Sequence, residues 1–170
     1  MRAIWGRLCA AVIATCAVVS LAATSDRSDV KKIQSLESRY AAALVARDLN
    51  AVMRAYSAGE DLFVFEAVPP RQFVGARAYR QHVQEFLVNF RDPFTYDVRD
   101  VVVTVAGDVA YGHSIQHLQG IDRDNRIDMT IRVTDVYRKI NGDWFIVQEH
   151  ASFPVDPQTG KADFSSALAP

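Results

Sequence analysis

The sequence predicts an α+β fold, in which three N-terminal helices pack on a strongly curved, mostly antiparallel sheet that forms a cone with an internal pocket. Three observations predict it. Apolar residues recur at helical spacing between residues 30 and 90, β-rich runs follow residue 100, and Asn141-Gly142 joins the last two runs. Helices that precede a run of strands are typical of a sheet with helices on one face.

Each helix is predicted from its apolar stripe and its ends. The second helix follows Asp48, whose short acidic side chain suits an N-cap, and ends at Gly59. The third follows Gly75. The stripe residues are Val30, Ile33, Leu36, Tyr40, Ala41 and Leu44 in the first helix, Leu49, Val52, Met53 and Tyr56 in the second, and Tyr79, Val83, Phe86, Leu87 and Phe90 in the third.

The strands are predicted from β-branched and aromatic runs between turn residues. The first run ends before Pro69-Pro70, because proline cannot continue a ladder of hydrogen bonds. A polar loop is expected from Gly120 to Arg126. The predicted strands are Leu62 to Val68, Phe73-Val74, Val101 to Val105, Ala110 to Leu118, and the two arms of a hairpin from Met129 to Phe153.

The first 22 residues have the layout of a secretory signal peptide. Arg2 and Arg7 precede an apolar run, and Ser20-Leu21-Ala22 offers the small residues of a cleavage site. The run is shorter than the ~20 apolar residues of a membrane span. We therefore expect a periplasmic or secreted protein that meets the membrane only through this transient segment. Residues 23–29 are predicted as a short polar lead-in, 30–156 as one domain and 157–170 as a turn-rich tail.

Composition excludes several classes of function. Cys9 and Cys16 both lie in the leader, so a mature chain would have no disulfide and no thiolate nucleophile. The net charge of −1 becomes −3 when the two leader arginines are removed, and no basic stripe suggests a nucleic-acid partner. His113 and His117 are four apart on a predicted strand, which separates them by ~13 Å. We expect no nucleic acid, no metal and no cofactor.

The register of the last hairpin follows from its turn. Asn141-Gly142 is the strongest short hairpin signal, because both turn positions need positive φ. If the loop has two residues, Asp135 opposes Gln148 and Val133 opposes His150. One face would then carry Met129, Ile131, Val133, Asp135, Tyr137, Ile146, Gln148 and His150, and the other Thr130, Arg132, Thr134, Arg138 and Glu149. The first face is the more apolar one and should face the core. Its polar side chains indicate a pocket with polar groups at its base, because buried polar groups need partners.

The residues resemble the NTF2-like superfamily, in its SnoaL-like and ketosteroid-isomerase-like branch. The resemblance covers roughly Val30 to Phe153. Its motifs are Arg39-Tyr40-Ala41-Ala42-Ala43-Leu44, Arg47-Asp48-Leu49, Tyr56, Phe73-Val74-Gly75, Gly107-Asp108-Val109-Ala110-Tyr111, Asp135-Val136-Tyr137-Arg138 and Asn141-Gly142-Asp143-Trp144. They specify the fold more strongly than the function, because this fold carries isomerases, cyclases, dehydratases, binding modules and dimerisation domains.

The resemblance implies a catalytic set. Ketosteroid isomerases use a carboxylate base with two donors, a tyrosine and a protonated aspartic acid. Tyr40 and Asp135 match the positions of the donors, and Glu66 falls at or near the base, where the family has aspartate. The change to glutamate moves the carboxylate by one methylene, and a ~1 Å misplacement can cost ~100-fold in rate.

The residues themselves suggest a further base and the pocket walls. His150 lies diagonal to Asp135 in the predicted ladder, so the two could form an Asp–His general base. Alternation puts Glu66 on the face of Leu62 and Val64, which makes it a base only if that face is the inner one. Predicted substrate-binding residues are Phe63, Phe65, Phe86, Phe90, Tyr137, Trp144 and Gln148.

Three functions stay open at this point. The first is a cofactor-independent isomerase, dehydratase or cyclase, with Glu66 or His150 as base and Tyr40 and Asp135 as oxyanion donors. The second is a periplasmic module that binds a small apolar ligand with a polar head group. The third is an assembly domain with a filled interior. The resemblance also implies a homodimer through the outer face of the sheet.

Overall fold

The fold was analysed in a computed structural model, which describes residues 6–165 and the side chains of residues 26–165. It confirms the predicted α+β architecture. The helices are α1 (Gly6–Val45), α2 (Leu49–Met53) and α3 (Ala76–Asn89). The strands are β1 (Phe63–Phe65), β2 (Gln72–Val74), β3 (Phe90–Ala106), β4 (Val109–Asp122), β5 (Asn125–Ile140) and β6 (Asp143–Ser152).

The N-terminal helix is longer than the sequence predicts. Residues 23–29, expected as a lead-in, lie within α1, and Asp29 is buried. Of the predicted signal peptide, residues 1–5 lie outside the described residues and 6–22 belong to α1, so its cleavage stays a prediction. Among the described residues, no helix has the length and apolarity that a membrane span needs. Residues 166–170 of the predicted tail also lie outside the described residues.

The six strands form one sheet in the order β2-β1-β6-β5-β4-β3. Every neighbouring pair is antiparallel except β1 and β6. Two register shifts interrupt β3, between Arg91 and Thr95 and between Arg99 and Val102. Bulges of this kind bend a strand and increase its twist. The bent sheet leaves a concave face, against which α1 and α3 pack.

The predicted bounds of several helices, strands and loops need correction. Asp48 caps α2 as predicted, since its side chain accepts a hydrogen bond of 2.9 Å from the Ala51 amide. The helix ends at Met53 rather than near Gly59, because the chain at Tyr56 bridges to β6. The expected loop at 120–126 shrinks to a turn between β4 and β5, whose ladder runs to Asp122↔Asn125. β1 spans three residues instead of seven.

The last hairpin has the predicted turn, with positive φ at Asn141 and Gly142. The predicted pairing holds from Ile140↔Asp143 to Tyr137↔Ile146. Beyond that point Val136 pairs with Gln148 and Asp135 with Glu149, because Val147 is an extra residue on β6. Since neighbouring residues of a strand point to opposite faces, this bulge exchanges the faces of every later residue of β6.

The hydrophobic core lies between the helices and the concave face of the sheet. It contains fully buried side chains from every layer, including Ile33, Val52, Leu62, Val64 and Ile146. Tyrosines and carboxyl groups are buried among them, so the interior is not uniformly apolar. The functional candidates lie in this polar part of the core.

Candidate functional site

A cavity of about 120 Å³ opens between α1, α3 and the concave face of the sheet. Of the predicted site residues, Tyr40, Glu66 and Phe86 line it. The complete lining is Tyr40, Leu44, Glu66, Ala67, Val68, Tyr79, His82, Val83, Phe86, Tyr96, Gln116, Leu118, Met129, Ile131, Glu149, Ala151 and Phe153. Most of the wall is apolar or aromatic, with a few polar groups, as in small-molecule sites generally.

Glu149 is the most deeply buried carboxyl group of the cavity wall, with 6% of its surface exposed. The hydroxyl of Tyr56 donates to its Oε2 at 2.7 Å, and that of Tyr79 lies 3.4 Å from its Oε1. Burial raises the pKa of Glu149 to about 8, and the nearby charge of Glu66 adds to the rise. The group therefore carries a proton at neutral pH.

Glu66 and His82 form a pair at the more exposed part of the cavity. Glu66 Oε1 lies 3.2 Å from His82 Nε2, and both side chains keep some contact with solvent. The imidazole stacks on Phe73, with ring centroids 4.3 Å apart and planes 27° apart. Glu66 shares the inner face with Val64, which pairs with Glu149 across the parallel β1–β6 ladder. The Glu66 carboxyl group and the His82 imidazole thus line the same cavity as the protonated Glu149.

Asp135 lies behind this wall and does not line the cavity. It is 1% exposed, and it pairs directly with Glu149 in the β5–β6 ladder. The Tyr137 hydroxyl lies 2.9 Å from Glu37 Oε1 and 3.3 Å from Asp135 Oδ2, while Asp135 Oδ1 has no hydrogen-bond partner. Burial raises the pKa of Asp135 well above its usual range, and the charges of Glu149 and Glu37 raise it further.

Buried tyrosines surround these acids. The Tyr40 ring makes edge contacts with Tyr56 at 5.8 Å and with Tyr96 at 6.0 Å between centroids. The Tyr96 hydroxyl donates to the side chain of Gln116. Burial raises the pKa of Tyr40 and Tyr96 well above the usual tyrosine value, so their hydroxyls stay protonated and able to donate.

The described part of the cavity wall contains no lysine or arginine. Burial also raises the pKa of Glu37 to about 7, opposed by a hydrogen bond from Tyr137. Carboxyl groups in an apolar interior without a cationic partner keep their protons instead of ionising. The wall can therefore donate hydrogen bonds from acids as well as from tyrosines.

Four predicted site residues lie on the wrong face of the sheet. Gln148 and His150 are exposed, because the bulge at Val147 turns them outward. The predicted Asp135–His150 pair is therefore absent, and His150 contacts Phe65 at 5.4 Å instead. Phe63 and Phe65 pair with Gln148 and His150 on that outer face, and neither lines the cavity.

Three further substrate-binding predictions fall outside the cavity wall. Phe90 packs in the core against Phe86, at 4.6 Å between centroids. Tyr137 belongs to the acid cluster behind the wall. Trp144 donates to Asp29 at 3.1 Å, so it anchors α1 to the last hairpin.

Glu149 and His82 were not among the site residues predicted from the sequence. Glu149 was placed outside by the unbulged register, and its signal was the adjacent apolar pair Ile146-Val147, which breaks the alternation. His82 lies on α3 three residues after the buried Tyr79, a spacing that puts the two side chains on the same side of the helix. Within residues 26–165, no group of three or more acidic, histidine or cysteine side chains could hold a metal ion.

Residues 33–156 match the SnoaL-like domain family. The chain belongs to this family. No curated protein matches the chain. Among solved structures, an NTF2-like protein of unknown function from Pseudomonas putida KT2440 is 28% identical, with a TM-score of 0.74 over 85% of this chain and 98% of that one.

Two similar structures carry the name of an activity. A candidate dehydratase of the NTF2-like family from Streptomyces avermitilis is 17% identical, with a TM-score of 0.67 over 76% of this chain and 98% of that one. A candidate scytalone dehydratase from Novosphingobium aromaticivorans is 16% identical, with a TM-score of 0.67 over 84% of this chain and 96% of that one. At these identities the likeness concerns the SnoaL-like fold.

Proposed function

We propose that this SnoaL-like protein is a cofactor-independent enzyme that moves a proton next to a carbonyl group of a small molecule, as an isomerase or dehydratase. One observation carries the proposal. A single cavity brings the Glu66–His82 pair together with the buried acid Glu149. A base and a donor held apart in one cavity are the two groups that enolisation needs.

The proposed reaction begins with binding of the substrate carbonyl oxygen to the protonated Glu149. Glu66, which His82 contacts, takes the proton from the neighbouring carbon, and the C–H electrons pass into the enolate. Glu149 and Tyr40 donate hydrogen bonds to the enolate oxygen. An isomerase returns the proton to another carbon. A dehydratase instead releases a β-hydroxyl group, which leaves as water after protonation.

The comparisons support the class of reaction and not its substrate. Two structures with the same fold are candidate dehydratases. Because one fold can carry unrelated functions, the argument for catalysis comes from the residues of the site. The arrangement of Glu66, His82 and Glu149 in one wall favours chemistry over simple binding, because binding an apolar ligand needs no base.

Proton exchange tests the proposal without knowledge of the substrate. The full chain is incubated with cyclohex-2-en-1-one in D₂O, and loss of the hydrogens next to the carbonyl is followed by proton NMR. We expect exchange above the buffer rate, lowered at least about 100-fold by Glu66→Gln, because a general base contributes ~10²–10⁴-fold. The matched control is Glu85→Gln, an exposed residue of α3 outside the cavity. No exchange above buffer, or equal rates for all three proteins, would contradict the proposal.

We also propose a homodimer through the outer face of the sheet. This face exposes apolar side chains on β3 and β4, with Val102 52% and Tyr111 56% exposed. A patch on one sheet face can pair with itself about a two-fold axis. Light scattering at micromolar concentration should give twice the chain mass, and Tyr111→Lys should halve it. A monomeric mass for the unaltered chain would contradict the dimer.

Export of the chain is proposed from its leader. Expression in a bacterial host, followed by mass spectrometry of the periplasmic and extracellular fractions, should find a chain that begins near Ala23. Recovery of only the uncleaved chain in the cytoplasm would contradict export.

A further inference from the structure

The size of the cavity limits what it can enclose. Its volume of about 120 Å³ is similar to that of an engineered cavity of ~150 Å³ that holds one benzene molecule. The walls include the rings of Tyr40, Tyr79, Tyr96 and Phe86, which suit the faces and edges of a flat ring. A second fused ring would exceed this volume and would have to extend towards the exposed side of the cavity at Glu66 and His82.

The charges around the cavity limit the charge of the ligand. Glu66 and Glu149 form part of the wall, Asp135 and Glu37 lie behind it, and the described wall has no lysine or arginine. A ligand carboxylate or phosphate would lose its hydration without gaining a lysine or arginine partner, and it would lie beside Glu66, which already occupies His82. The composition of the wall therefore disfavours anionic ligands.

The hydrogen bonds of Glu149 determine which ligand atom it can contact. Its Oε2 accepts a hydrogen bond of 2.7 Å from Tyr56, while Oε1 has only the long 3.4 Å contact with Tyr79. A proton on Oε1 is thus free to be donated to a ligand. The titratable groups that face Glu149 are Tyr40 and Glu37 of α1, Tyr56 after α2, Glu66 with His82, Tyr79 of α3, Tyr96 of β3 and Asp135 of β5.

We infer that the cavity takes a compound with a single six-membered ring and a carbonyl or phenolic oxygen, without any acidic group, and that Glu149 is the residue that recognises this oxygen. The inference rests on the site of the proposed function and names its substrate class. It concerns binding alone, so it can hold or fail independently of catalysis.

Calorimetric titration of the full chain with four probes tests the inference. The probes are cyclohex-2-en-1-one, phenol, benzoate and 2-naphthol. At pH 6 we expect the two single-ring neutral probes to bind, and benzoate and 2-naphthol to bind at least about tenfold more weakly, a difference of ~1.4 kcal/mol. Benzoate or 2-naphthol binding as tightly as phenol would overturn the inference, as would absence of binding by both neutral single-ring probes.

The role of Glu149 is tested by the pH dependence of binding. The affinity for cyclohex-2-en-1-one should fall about tenfold between pH 6 and pH 9, as Glu149 loses its proton. In Glu149→Gln, whose amide is a donor at every pH, affinity should change less than about twofold over the same range. Glu85→Gln should behave as the unaltered chain. Equal pH dependence in all three proteins would overturn the assignment of Glu149. Binding with the expected selectivity but no proton exchange would instead refute only the proposed reaction.

Discussion

Two clusters of buried acids contact α1 two turns apart, and they differ in their partners. Near the start of the described side chains, Asp29 accepts hydrogen bonds from Lys139 at 2.6 Å and from Trp144 at 3.1 Å. Two turns further along α1, Glu37 accepts a hydrogen bond from the Tyr137 hydroxyl, which also contacts Asp135. Asp135 pairs with Glu149 in the ladder between β5 and β6. The first cluster contains a cation, and the second contains only acids and hydroxyl groups within the described residues.

The difference teaches how to separate structural acids from functional ones. Asp29 is buried, but a cation and an indole N–H satisfy its charge, so no ligand is needed to complete the site. Glu149 has no cationic partner among residues 26–165, keeps its proton, and faces a cavity. A buried acid with complete partners stabilises the fold, while a buried acid without a cation is available to a ligand.

The largest effect should come from breaking the Asp29 cluster. Asp29→Ala leaves Lys139 and the Trp144 indole without their acceptor, and breaking a buried pair costs about 3 kcal/mol of unfolding free energy. Urea denaturation measures this loss. The proton-exchange rate per folded molecule should stay unchanged. A loss of stability below about 1 kcal/mol, or a parallel loss of activity, would remove the distinction between the clusters.

Glu149→Gln should have the opposite effects, with little change in stability and a large loss of proton exchange. At pH 6 the amide replaces a protonated carboxyl of nearly the same shape, so stability should change by less than about 1 kcal/mol. The proton-exchange rate should fall by about 100-fold, because the amide is a weaker donor to a developing oxyanion. If urea denaturation shows a loss like that of Asp29→Ala and exchange is unaffected, Glu149 is a structural acid.

The two clusters should also differ in the pH dependence of stability. The pKa of Glu149 is raised to about 8 and that of Glu37 to about 7 in the folded chain, whereas both are near 4.5 when unfolded. The folded state therefore binds more protons between these values, and stability falls as pH rises from about 4.5 to 8. The slope is up to about 1.4 kcal/mol per pH unit for each group.

Urea midpoints measured from pH 5 to pH 9 check this slope. Glu149→Gln should remove the share of this slope due to Glu149 and leave the shares due to Glu37 and Asp135, whose pKa values burial also raises. If the chain gains stability over this range, the acids around Glu37 and Glu149 are ionised in the folded state. That result would contradict the distinction between these protonated acids and the ionised Asp29.

The smallest effect should come from an exposed ion pair, which serves as the reference for both clusters. Arg138 donates to Asp61 at 3.0 Å, with about half of each side chain exposed. Arg138→Ala should lower the unfolding free energy by less than about 0.5 kcal/mol, since solvent screens such pairs. A loss as large as that of Asp29→Ala would mean that burial does not govern the strength of these pairs.

Local chemistry explains which features of the fold could be predicted from sequence. The cap at Asp48, the turn at Asn141-Gly142 and the amphipathic stripe of α3 depend on neighbouring residues. The bulge at Val147 depends on how β6 fits between β5 and β1, and the adjacent apolar residues Ile146 and Val147 give only a local sign of that fit. One extra residue there was enough to replace Gln148 and His150 with Glu149 at the inner face.

The pairing of His82 could not be predicted for a similar reason. Its side chain is oriented by the stack on Phe73 and by Glu66, which arrive from the β1–β2 hairpin. Glu66 itself was placed on the correct face by simple alternation with Leu62 and Val64. Its catalytic role, like that of Tyr40, stays a prediction.

The most direct measurement is a pH titration of the glutamate side-chain carboxyl carbons by ¹³C NMR, on the full chain and on Glu149→Gln. We expect one carboxyl group to titrate near pH 8 in the unaltered chain and to be missing from the variant. If every glutamate titrates below about pH 5, as unperturbed glutamates do, then Glu149 is ionised at neutral pH. That result would contradict both the donor assigned to the cavity and the contrast between the two acid clusters.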